Sequence, residues 1–269
     1  MGTLILAVTS LLLYSIGTAL QALHFRGRVQ SSLAMTTLVG MLALVGHALL
    51  ITQIVHHDGG FDFSIVRSSL VISWLITFLL LGLNLTKPLQ NLLLGVYPLA
   101  GLTIIVALAA PTPARLVPDH SYGMLTHIAL SVTAYSLFSL AAIQAVLLSV
   151  QNRQLKSNYN SRLLRNLPPL QTMESVLFEL VWAGVVLLIL AIVTGALFVE
   201  DLFAQDIAHK TLFSVLSLLV FVALLIGRHT KGWRGVTASR WTLAGCALLM
   251  VAFYGSKLVL ELIFHHGLK

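Results

Sequence analysis

The chain has 269 residues, of which 58% are hydrophobic and only 9% charged, and its mean hydropathy is +0.94. A soluble domain carries about 25% charged residues to cover its surface, so this composition excludes a soluble globular protein and points to the bilayer. The net charge of +7 does not indicate nucleic acid, because the basic residues lie in short loops beside apolar runs and no basic stripe with interleaved aromatics occurs.

Apolar runs near the length that crosses hydrocarbon recur along the whole chain. They predict eight spans, at roughly 3–23, 32–54, 67–85, 89–109, 121–150, 173–198, 210–227 and 239–264. Lipid offers the backbone no hydrogen-bond partners, so the spans read as helices. The expected fold is an all-α polytopic transmembrane bundle forming a single transmembrane domain over 1–269.

The first span has no basic segment before it. Its first positive charges, Arg26 and Arg28, follow the apolar run, so it reads as a retained span and not a cleaved leader. Spans three and four are separated only by a short turn near Thr86-Lys87-Pro88, where Pro88 suits a helix start. The fifth helix looks longer than a membrane: the pattern from Ser121 to Lys156 predicts one helix of about 54 Å. The polar stretch after it ends at Pro168-Pro169, before the sixth span.

Charge sets the expected orientation. Eleven of the sixteen Lys and Arg fall after spans one, three, five and seven, including Arg153, Lys156, Arg162 and Arg165 in one loop and Arg228, Lys231, Arg234 and Arg240 in another. Most acids, among them Asp58, Asp62, Asp119 and Glu200, lie on the other side. The positive-inside rule then places both termini outside.

Ten histidines in so apolar a chain carry the main chemical signal. An ionisable residue within a span is costly and marks a candidate site. His47 and His127 fall clearly inside spans two and five, each roughly 10 Å below the outer surface at the helical rise. Two imidazoles at matched depth suit axial ligation of one haem iron; buried hydrogen-bonding residues are the equally weighted alternative. On span five, His127, Ser131, Tyr135 and Ser139 recur every fourth residue, a polar stripe expected to face the bundle. His24 and His229 both sit at cytoplasmic ends of spans, beside Arg26 and Arg228, where they either form an inner site, or meet acidic propionates with the arginines, or are plain surface residues, the commoner reading. His209 opens span seven and either joins an outer site with His127 or is a polar helix start. His56-His57, His120 and His265-His266 read as outer-loop or terminal residues.

The remaining polar residues read as structural. Cys246, the one cysteine, packs within a span; Lys257 and Glu261 form an intrahelical pair; Glu174 and Glu179 can reach Arg162 or Arg165; Trp233 is an interfacial anchor. No HExxH, phosphate-loop, GxSxG or dinucleotide motif occurs, which speaks against an enzyme.

Four segments in order carry a resemblance: THIALSVTAYSLFSLAAIQAVLLSVQNRQL, LPPLQTMESVLFEL, HKTLFSVLSLLVFVALLIGRHTKGWRG and WTLAGCALLMVAFYGSKLVLEL. Together they resemble the cytochrome c assembly membrane family, nearest in pattern to its YpjD and HemX-like branch, with the best match over 120–264. The resemblance implies a bacterial inner-membrane, multi-pass protein with haem as ligand or cargo and histidine ligands. His127 matches the family's histidine at the start of this span, His229 lies near the one closing the next-to-last matched span, and His47 falls in a span where relatives often carry one. The haem synthetases of the family carry a tryptophan-rich segment before the span that here begins at His209, where this chain has VEDLFAQDIAHK. The resemblance therefore implies a haem-binding or haem-handling accessory protein more than an enzyme. His47 and His127 are the first choice of haem-iron ligands, and His209 and His229 the second. Two other readings stay open: a small-solute transporter or channel subunit, and a membrane scaffold whose long fifth helix and following loop bind a cytosolic enzyme or membrane partner.

Overall fold

The computed structural model describes residues 2–26, 33–57, 60–109, 116–117, 122–157, 167–198 and 205–255. Among them are eight helices long and apolar enough to cross a membrane: α1 Gly2–Phe25, α2 Leu33–Val55, α3 Ile65–Leu83, α4 Gln90–Ala109, α5 Tyr122–Ser157, α6 Leu170–Phe198, α7 Gln205–Lys231 and α8 Gly235–Met250, the last continued by a π turn over Val251–Gly255. The count matches the eight apolar runs. Two compact units result, one of residues 1–120 with 154–168, the other of 121–153 with 169–269.

The first unit holds α1 to α4 in a ring: α1 packs on α2 and α4, and α3 packs on the same two. Its burial pattern inverts that of a soluble bundle. Along α1 the buried residues are Ala7, Ser10, Tyr14, Gly17 and Gln21, spaced three and four apart, while Leu4, Ile5, Leu12 and Ile16 are exposed. Apolar side chains gain nothing by leaving lipid, so small and polar residues define the contact face. Tyr97 of α4 shows why the glycines are needed. A Cβ at Gly17 would lie 2.8 Å from its ring, and one at Gly40 would run into its hydroxyl. The ring is therefore wedged between α1 and α2, and its hydroxyl donates to the Thr36 carbonyl at 3.1 Å. Ser73 and Thr103 join α3 to α4 at 2.6 Å, and the Trp74 indole donates to Leu44 O at 3.0 Å, tying α3 to α2.

One end of this unit carries a small antiparallel sheet that the sequence reading did not anticipate. Its strands are β1 His56–His57, β2 Gly60–Asp62 and β3 Leu116–Val117, in that order. Asp62 is 0% exposed. It forms an ion pair with Arg67 and accepts the Ser64 N–H at 2.8 Å. A buried carboxylate is tolerable only when so paired; the same pair accounts for an arginine on the acid-rich side. At the other end, α3 and α4 are joined by the tight turn over 84–89, with Lys87 N–H donating to Leu83 O at 2.9 Å. This is the Thr86-Lys87-Pro88 turn expected from sequence.

The second unit holds most of α5 with α6, α7 and α8. Phe138 of α5 and Phe221 of α7 stack at 4.0 Å between centroids, 10° from parallel. A Cβ at Gly184 of α6 would lie 2.8 Å from the first ring, and one at Gly245 of α8 would lie 2.6 Å from the second. All four helices thus meet at one aromatic pair clasped by two glycines. Cross-helix hydrogen bonds surround it: Ser217 to Gly245 O at 2.8 Å, Tyr135 to Leu249 O at 2.7 Å, and Gln144 to Met173 O at 3.0 Å. Cys246, buried, points its thiol at Phe138 O at 3.2 Å, which is the packing role expected of it.

Helix α5 runs unbroken for 36 residues, about 54 Å at the helical rise. Helix α6 begins directly after Pro168-Pro169, the Met173 N–H donating to Pro169 O at 3.1 Å.

Candidate functional site: two intramembrane histidines

His47 lies on α2, eight residues before its end at Val55, about 12 Å along the helix. The ring is fully buried. Its Nδ1 is 3.3 Å from the Tyr14 hydroxyl of α1, and the two rings meet edge-on at 5.9 Å. Thr77 of α3 contacts the same Tyr14 hydroxyl, and Tyr97 packs on Tyr14 at 5.6 Å. The imidazole also feels the Leu70 backbone, but Nε2 makes no hydrogen bond of normal geometry. The Ser10 hydroxyl, 2.5 Å from where a Cβ on Gly46 would stand, is likewise buried without a partner. A polar core inside hydrocarbon with two unmet groups is costly.

His127 lies on α5, five residues after its start at Tyr122, about 8 Å along the helix. The ring is half-buried and reaches α6, where Nδ1 is 2.8 Å from the Ala191 carbonyl. A carbonyl only accepts, so the proton sits on Nδ1 and Nε2 keeps its lone pair. Thr194 stands 3.5 Å from Nδ1, but its hydroxyl already serves Leu190 O at 2.8 Å. Gly195 gives the ring its place, since a Cβ there would lie 2.9 Å from Cε1. Metal-bound histidines characteristically donate their other N–H to a backbone carbonyl or carboxylate, which fixes tautomer and ring direction.

The test of fit for haem iron separates the two. His127 has a fixed tautomer, a free Nε2 and a partly open ring, and it fits. His47 is fully buried, with Tyr14 of α1 and the Leu70 backbone of α3 against its ring, so it does not meet the access requirement. The two rings belong to different units.

His209 is exposed at the fifth residue of α7, and His229 is exposed in its last turn. They are twenty residues apart on one helix, about 30 Å. His24 is half-buried at the end of α1, its Nδ1 without a hydrogen bond. His56 is exposed in β1 and packs on Phe61 at 5.4 Å. His120, His265-His266, Lys257, Glu261, Arg162 and Arg165 lie outside the described residues. Glu174, expected to reach the loop arginines, accepts the Gly235 N–H at 2.6 Å. Trp233, expected as an anchor, stacks on Trp241 at 4.8 Å. Of the polar stripe on α5, His127 and Tyr135 find partners on other helices, while Ser139 bonds back to Tyr135 O at 2.8 Å. Among the described residues no group of three or more His, Cys, Asp or Glu gathers to hold a metal ion.

The family model described as cytochrome C assembly protein matches residues 4–264. The chain belongs to the cytochrome c assembly protein family. It is 29% identical to the inner membrane protein YpjD of Escherichia coli strain K12 over 263 residues, covering 96% of this chain and 99% of that protein. It is 31% identical to Protein HemX of Brevibacillus brevis over 134 residues, 49% of each chain. A 28.8 kDa protein of Azospirillum brasilense is 34% identical over 160 residues, covering 58% of this chain and 59% of that one. No solved structure matches. As a member of this family with a full-length inner-membrane relative, the chain is a multi-pass inner-membrane protein.

Sequence reading missed Tyr14, Thr77 and Tyr97 around His47, and Gly195 beside His127. The α1 residues were legible in principle. In a lipid-facing helix the polar and small residues mark the inner stripe, and Ser10, Tyr14, Gly17 and Gln21 form such a stripe. Thr77 gives no periodic signal of its own.

Proposed function

We propose that this protein binds haem in the membrane as a non-enzymatic accessory of the cytochrome c assembly type, with His127 Nε2 as the iron ligand. The observation that carries the reading is the Ala191 carbonyl at 2.8 Å from His127 Nδ1. It leaves the ligating nitrogen deprotonated and aimed before any metal arrives. Family membership supports haem as the group to be held. Bound there, haem would supply an iron that takes an imidazole nitrogen as ligand. The residues of this chain do the rest: Ala191 orients the ring, Gly195 makes room for it, and the Phe138–Phe221 stack fixes α5 against its neighbours. The segment VEDLFAQDIAHK has no tryptophan, which supports an accessory role over synthetase chemistry.

The charge distribution supports an orientation with the 151–172 and 228–240 loops in the cytoplasm and both termini outside. With it goes a second reading that α5 favours. At 36 residues the helix exceeds the roughly 20 that span hydrocarbon, so its end is a surface for a cytosolic partner.

An absorption spectrum of protein purified after expression with ample haem tests the proposal. A Soret band that shifts in His127→Ala and persists in His56→Ala supports it. Protein that never carries haem under these conditions overturns it and leaves the scaffold reading.

A further inference from the structure

The junction of α7 and α8 contains a charged group whose hydrogen-bonding capacity is unspent. Arg228, in the last turn of α7, lays its guanidinium over the Phe178 ring of α6, 3.7 Å from the centroid. Its Nη1 is buried and makes no hydrogen bond. A guanidinium N–H withdrawn from water is costly unless an acceptor meets it, and stacking on a ring satisfies the face of the group but not its edge.

The surroundings are rigid. The turn after α7 uses two left-handed glycines, Gly232 with φ 64° and Gly235 with φ 54°. Trp233 donates its N–H back to Gly227 O at 3.2 Å, and its indole fills the space where a Gly227 side chain would stand. Glu174 of α6 holds Gly235 N–H at 2.6 Å. The Trp233–Trp241 stack stands beside this turn, with the Lys231 ammonium 5.9 Å from the Trp233 ring. Lys231 itself is exposed. Lipid-facing apolar groups adjoin the turn: Ile226 is 56% exposed two residues before Arg228, and Trp182, one turn along α6 from Phe178, is 51% exposed.

We propose that this junction binds the phosphate group of an anionic phospholipid, with Arg228 as its inner donor and Lys231 as its outer charge. The guanidinium edge suits a phosphate oxygen pair. The tryptophan pair marks headgroup level, and the exposed Ile226 and Trp182 give the acyl chains a surface. The two basic residues favour a headgroup of net negative charge over a zwitterionic one.

Native mass spectrometry of the full chain in mild detergent, titrated separately with phosphatidylglycerol, phosphatidylcholine and inorganic phosphate, tests this. Phosphatidylglycerol binds the wild type more tightly than phosphatidylcholine. Lys231→Gln, an exposed change that leaves the fold alone, weakens it about fivefold, and Arg228→Gln weakens it more, with Arg228→Lys recovering part of the loss. Arg26→Gln, in the first unit, changes nothing. Inorganic phosphate that displaces the lipid at low millimolar concentration keeps the phosphate site but assigns it a soluble occupant, overturning the lipid. Equal lipid binding by wild type, Lys231→Gln and Arg228→Gln overturns the site altogether.

Discussion

His127 and His47 look alike in the sequence, each a lone imidazole in an apolar run, and their surroundings make them different. The Ala191 carbonyl dictates the tautomer of His127. Tyr14, whose hydroxyl can donate or accept, does not dictate that of His47. The histidines themselves were legible, because a titratable residue in a span stands out. Their partners were not: Ala191 acts through its backbone, and Gly195 acts through the side chain it lacks. Gly195→Ala forces a Cβ to 2.9 Å from His127 Cε1, so the ring must turn. The haem band should shift as it does in a ligand variant, whereas Gly101→Ala, whose Cβ has ordinary contact at 3.9 Å, should leave the spectrum unchanged. Tyr14→Phe removes the hydroxyl that meets both His47 and Thr77, a loss of about 0.6 to 1.7 kcal/mol for each such hydrogen bond in membrane helices. Thermal unfolding in detergent should show that modest drop, and no drop at all would mean the 3.3 Å contact contributes nothing.

The helices follow directly from runs of apolar residues, and the number and order of eight were legible for that reason. The long α5 was legible because nothing breaks its pattern between Gln151 and Lys156. What escaped were features made by tertiary contact. The β clip depends on Asp62 meeting Arg67, and the aromatic clasp depends on Gly184 and Gly245 lying opposite Phe138 and Phe221. The α7–α8 turn allows a paired comparison. Gly232 and Gly235 both have positive φ, so alanine costs about 1–2 kcal/mol at either. At Gly235 the new Cβ also meets Asn152 Nδ2 at 2.6 Å, whereas Gly232 has open space. Gly235→Ala should therefore unfold at a clearly lower temperature than Gly232→Ala; equal midpoints would show that the Asn152 contact yields freely.

At the scale of the whole molecule, eleven of sixteen basic residues on one side set the orientation proposed for the chain. Cysteines introduced at His56 and Arg234, both exposed, would report on opposite sides in that orientation, and the native Cys246 is buried. In intact cells a membrane-impermeant thiol reagent should label His56→Cys and spare Arg234→Cys, and the reverse pattern would invert the topology. The central claim is that His127 Nε2 ligates haem iron, and imidazole rescue tests it most directly. His127→Gly, purified with haem, should lose the ligand signature in its absorption spectrum, and added free imidazole should restore it by occupying the vacated position. A His127→Gly spectrum identical to that of the wild type, before and after imidazole, would contradict the account.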